Sequence, residues 1–158
     1  MKVSTWAALE CLPATTCMPG KTFVDTNVLL YAHDLDAGAK HVRAKEILRN
    51  LWLERAGALS VQVLQEFYVN VTRKISQPLP KNSARQIVGS YAMWCGKTSA
   101  DDVSVAFRIE DESQINFWDA LIIASAISAG ADTILSEDMN AGQRIAGIRI
   151  ENPFASAT

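Results

Sequence analysis

The stretch "KTFVDTNVLLYAHD", Lys21 to Asp34, sets one carboxylate between two apolar runs. Phe23 and Val24 lead straight into Asp25, and Val28 to Tyr31 resume the apolar character after Thr26 and Asn27. A short apolar run that stops at a polar turn reads as a buried strand, here 21–25, and the spacing beyond it reads as a helix over 27–33. An aspartate at such a junction has two uses. It can accept hydrogen bonds from the first free N–H groups of the helix. It can also face a cleft, because ligand sites of open α/β sheets lie at the carboxyl ends of strands.

Outward from this junction, strands and helices alternate. Val42, Ile47, Leu48, Leu51 and Trp52 mark a helix over 39–54, and "ALSV" a strand over 58–61. Leu64, Phe67, Tyr68, Val71 and Ile75 form the apolar face of a helix over 62–75. A loop with two prolines follows at 76–83, then helices over 83–95, 102–112 and 116–130, the last ended by Gly130. "DTILS" is a strand over 132–136, and "IRIENPF" (148–154) holds the last one. The alternation predicts a single α/β domain with a mostly parallel central sheet flanked by helices.

Composition narrows the class. The chain has 158 residues, 49% apolar and 20% charged, which is ordinary for one globular domain. A net charge of −2 offers no basic surface for static nucleic-acid binding, but leaves room for an enzyme that meets nucleic acid briefly. Cys11, Cys17 and Cys95 form no CxxC pair and read as plain thiols of a reducing, cytoplasmic compartment. Two histidines, His33 and His41, do not make a zinc centre, and no uninterrupted apolar run reaches the length of a membrane span. Residues 1–20 read as an N-terminal extension, poorly ordered or the product of an upstream start. Glu10 interrupts its apolar patch, which argues against a signal peptide. The domain proper is expected over 21–154, with a short tail over 155–158.

Three further acidic positions stand out. "LSEDMN" (135–140) repeats the strand-end arrangement with Ser136, Glu137, Asp138 and Asn140, so carboxylates from two strand ends can converge on one cleft. Asp119 lies in a helix that is apolar nearly all round and therefore expected in the interior, where a lone carboxylate is costly unless paired or bound to metal. Asn116 as N-cap also makes Asp119 a first-turn acid favoured by the helix dipole. Glu66 shares a polar helix face with Gln62, Asn70 and Arg73, and by itself such a face is usually solvated.

Together these segments resemble the PIN-domain nucleases. "FVDTNVLLYAHD" resembles the opening strand and helix of that family, "VQVLQEFY" its second acidic segment, "FWDALIIASAISAGADTILSEDMN" its third and fourth, and "IRIENPF" its closing strand. The short single-domain form is similar to the VapC toxins of bacterial toxin–antitoxin pairs, although those usually begin just before the first strand. The resemblance implies a Mg²⁺- or Mn²⁺-dependent endoribonuclease leaving a 5′-phosphate and a 3′-hydroxyl. It assigns Asp25, Glu66, Asp119 and Asp138 to catalysis and metal binding, with Glu137 as the alternative to Asp138, and Asn27 and Ser136 as orienting residues. Hard carboxylate oxygens suit these metals.

The same resemblance implies an RNA substrate, a cognate antitoxin protein and a homodimer. Trp52, Phe67 and Tyr68 read as more apolar surface than one small core needs. Arg43, Lys45, Arg49, Arg73, Lys74, Lys81 and Arg85 are candidate RNA contacts. A haloacid-dehalogenase-type phosphatase would need an acid where Asn27 stands, and a receiver domain an acidic pair ahead of Asp25. The alternative reading is a non-catalytic PIN-like module that only binds RNA or protein.

Overall fold

The computed structural model describes residues 20–155; the expected extension, apart from Gly20, and residues 156–158 lie outside the described residues. The elements in chain order are β1 (Lys21–Val24), α1 (Thr26–His33), α2 (Ala39–Glu54), β2 (Gly57–Ala58), α3 (Val61–Val71), α4 (Lys81–Tyr91), α5 (Ala100–Ser113), α6 (Phe117–Ser128), β3 (Ala131–Leu135), β4 (Arg144–Ile145) and β5 (Ile148–Glu151). Short 3-10 turns cover Leu35–Ala37 and Ala92–Trp94.

The sheet order is β2-β1-β3-β5-β4, parallel throughout except for the edge pair β4–β5. Parallel strands covered on both faces carry continuous apolar runs, which is why Phe23, Val24, Ile134 and Leu135 are all buried. From β1 the chain first builds outward to β2, then crosses back to place β3 on the other side of β1. That reversal between β1 and β3 is where open α/β sheets leave a crevice at the carboxyl edge of the strands. Helices that follow or precede these strands start at the same edge, so the first turns of α1, α3 and α6 all border it.

Several expectations needed adjustment. The strand expected over 58–61 is only Gly57–Ala58; Leu59 makes one isolated bridge to Cys95, and Ser60 already caps α3. Gly57 is required there, since a Cβ would meet the Trp94 ring at 2.4 Å. The helix expected to reach residue 75 ends at Val71. There the Thr72 hydroxyl bonds the Tyr68 carbonyl at 2.7 Å, and Leu79 N–H bonds the Val71 carbonyl at 2.9 Å, turning the chain back. β4 was not anticipated. It forms a two-residue hairpin with β5 through Ala146 (φ 48°) and Gly147 (φ 84°), the positive-φ pair such turns need.

Phe67, grouped with Trp52 and Tyr68 as surplus apolar surface, is instead fully buried in the core, its ring against His33 and Tyr91. Nor is α6 wholly interior: Ile122, Ile123 and Ala126 are buried, but Trp118 is 62% exposed and Asp119 half-buried. Among the described residues no helix is long and apolar enough to cross a membrane.

Candidate active site

Asp25 sits one residue past β1, and the sheet still holds it: its N–H donates to the Leu135 carbonyl of β3 at 3.0 Å. The side chain is 8% exposed. Its Oδ1 accepts from the Thr26 N–H at 2.7 Å, which caps α1. Its Oδ2 accepts from the Ser136 hydroxyl at 2.6 Å and, more loosely, from Asn27 Nδ2 at 3.4 Å. Both uses foreseen for this residue therefore hold together. Burial pushes the Asp25 carboxyl above the ordinary aspartate range; the Ser136 and Thr26 hydrogen bonds pull it down, and the charges of Glu66 and Asp138 raise it again.

Ser136, itself inaccessible to solvent, joins the two strand ends. While its Oγ donates to Asp25, it accepts from the N–H groups of Asp138 at 3.2 Å and Met139 at 3.3 Å, which folds the loop after β3 toward the cleft. Asn27 completes the link: its Nδ2 donates to Asp138 Oδ2 at 3.1 Å, and its Oδ1 accepts from the Glu137 N–H at 3.3 Å.

Glu66 arrives from the second turn of α3, which Ser60 caps. Its Oε2 accepts from the Thr26 hydroxyl at 2.8 Å and its Oε1 from Gln62 Nε2 at 3.0 Å. Asp119 arrives from the first turn of α6, where Asn116 Oδ1 accepts its N–H at 3.0 Å and Asn116 Nδ2 donates to its Oδ2 at 2.6 Å. All four acids line one cleft of ≈ 290 Å³ together with Thr26, Asn27, Leu30, Gln62, Asn70, Trp118 and Ile122.

Glu137 lies apart from them. It pairs with Lys40 and accepts from the Tyr31 hydroxyl at 2.5 Å, and these two donors hold its carboxyl below the usual glutamate range. Of the two adjacent acids, Asp138 is thus the one in the cleft. The seven basic residues considered as RNA contacts are all exposed, and Arg43 pairs with Glu46 at 3.1 Å. Lys40 and Tyr31 gave no sequence signal; Gln62 and Asn70, one turn either side of Glu66, did, since that shared polar face turns to the cleft.

The cleft's chemistry suits a hard divalent cation: four carboxylates, and among the described residues no lysine or arginine paired with any of them. Among the described residues, however, no three such acids stand together as a preformed metal cluster. A cation such as Mg²⁺, which keeps several of its waters, matches donors spaced in this way.

The PIN domain profile matches residues 22–146. None of the curated proteins compared with the chain matches it. Similar solved structures include VapBC from Salmonella typhimurium bound to DNA (18% identity, TM-score 0.60, covering 84% of this chain and 98% of that one). VapBC2 from Rickettsia felis, bound to a DNA fragment from its promoter, is 20% identical with a TM-score of 0.56, covering 83% and 97%. VapC20 from Mycobacterium tuberculosis, described as a sarcin-ricin loop cleaving toxin, is 22% identical with a TM-score of 0.53, covering 75% and 90%. At these identities the likeness is one of fold. The profile match spans most of the chain, from β1 through β4, and on that ground the protein belongs to the PIN-domain family.

Proposed function

We propose that this chain is a divalent-metal-dependent endoribonuclease, the toxin of a toxin–antitoxin pair. The observation that carries the reading is the cleft at the β1–β3 reversal: four carboxylates gathered there, the central one buried, and among the described residues no lysine or arginine paired with them. Carboxylates crowded in this way repel one another and repel RNA, so the site asks for a cation from outside. Asp25, Glu66, Asp119 and Asp138 would hold Mg²⁺ or Mn²⁺. When bound, that ion supplies a lowered water pKa and offsets charge on the phosphoryl and leaving oxygens. Asn27 and Ser136 hold Asp25 and Asp138 at fixed aim, and Thr26 does the same for Glu66.

The similar VapBC structures, which are toxin–antitoxin complexes, support an antitoxin protein partner. The apolar side chains exposed on α2 and α3, Val42, Leu53, Val61 and Val69 with Trp52, support a homodimer. The second reading, a PIN-fold module that binds without cutting, draws on the absence of a preformed metal cluster among the described residues. Expression in a bacterial host tests the proposal. The wild-type chain should arrest growth and Asp25→Ala should not; equal arrest by both, or by neither, counts against the toxin reading.

A further inference from the structure

We propose that the cleft also contains a nucleobase subsite, in which Trp118 stacks on one unpaired base of the RNA. The inference rests on the ribonuclease reading above. Trp118 is adjacent to Asp119, lines the same cleft as the four acids, and is 62% exposed. Phe117 meets its ring edge-on, 5.3 Å between centroids, and leans in turn on Phe107 at 5.6 Å. A largely exposed flat ring beside the acids is what single-stranded nucleic-acid sites offer to bases. Leu30 and Ile122 extend the apolar lining. Bases in a duplex present no free face, so the base taken here is an unpaired one.

The test is binding of fluorescein-labelled oligoadenylate and oligouridylate RNA to the full chain in an Asp25→Asn background, which blocks cleavage. Both should bind, since every base has a face to stack. Adding Trp118→Ala should weaken binding about ten-fold, the size of one base–aromatic stack, and Trp118→Phe should restore most of it. In the otherwise active enzyme the Trp118→Ala loss should fall on KM. Unchanged RNA binding by Trp118→Ala overturns the subsite, and metal-dependent cleavage by the wild-type chain would then leave the ribonuclease reading standing. If Trp118→Ala binds RNA normally but loses a protein encoded beside it, Trp118 belongs to a protein interface and the proposal fails. If the wild-type chain neither binds nor cuts RNA, both readings fall.

Discussion

Replacing Asp138 with asparagine removes one charge from the cleft and keeps the side chain's shape and its hydrogen bond from Asn27. Asp25 and Asp138 each place an Oδ2 against the same Asn27 nitrogen, at 3.4 and 3.1 Å. The two oxygens are thus no further apart than those bonds laid end to end, about 6.5 Å, where unit charges repel by ~0.6 kcal/mol at the dielectric of water and ~2.5 kcal/mol at an effective constant of 20. Asp138 is exposed, so solvent screening places the value near the lower end, about 0.5–1 kcal/mol. The sign follows from Asp25. Its carboxyl is raised in the folded state, first by burial and further by its charged neighbours, so ionising it at neutral pH opposes folding. Asp138→Asn relieves part of that opposition above the ordinary carboxylate range, and none of it at lower pH where Asp25 is protonated in both states. Denaturation in EDTA at pH 7 and low salt should show a metal-free variant more stable by about 0.5–1 kcal/mol, roughly 1–4 °C in Tm. The gain should shrink with added salt. The Tm rise that Mg²⁺ or Mn²⁺ gives the wild-type chain should diminish, and RNA cleavage should fall. A variant no more stable without metal, with an undiminished metal-induced rise and wild-type cleavage, would refute the placing of Asp138 in a charge-crowded metal cleft.

Glu137→Gln gives the contrast: it breaks the pairing with Lys40, so Tm should drop slightly at low salt, while the metal-induced rise and cleavage persist. His33 is held below its ordinary range, chiefly by burial, and its Nε2 lies 2.9 Å from the Tyr91 hydroxyl. The unfolded chain takes up its proton first, so stability should fall as pH drops through about 6.5 and below, and His33→Gln should flatten that part of the pH–stability curve. Phe67→Ala, at a site with no solvent exposure, should cost about 3–5 kcal/mol in urea denaturation; a loss under 1 kcal/mol would show that Phe67 is not core.

The central frame was legible because it rests on local rules. Apolar runs marked β1 and β3, Asn116 announced the start of α6, and Gly130 its end with a φ of 73°. Asp25 was legible for the same reason, as a polar residue at the stop of a buried run. The remainder depends on tertiary placement. Glu66 reads as a solvated residue until α3 is seen to border the β1–β3 reversal. Asp119 reads as interior because periodicity reports a helix's apolar faces, not that its first turn emerges at a cleft. The choice between Glu137 and Asp138 turns on Lys40, almost a hundred residues away in sequence. β4 escaped notice because two residues and an Ala-Gly turn carry no pattern of their own.

The most direct test of the account is cleavage of an end-labelled RNA pool by the wild-type chain and by Asp25→Ala, Glu66→Ala, Asp119→Ala and Asp138→Ala, each with Mg²⁺, with Mn²⁺ and with EDTA. The account predicts internal cuts bearing 5′-phosphates for the wild-type chain with either metal, none with EDTA, and at least a hundred-fold slower cutting by each variant. Cutting that persists in EDTA, or that survives loss of Asp25, would contradict it.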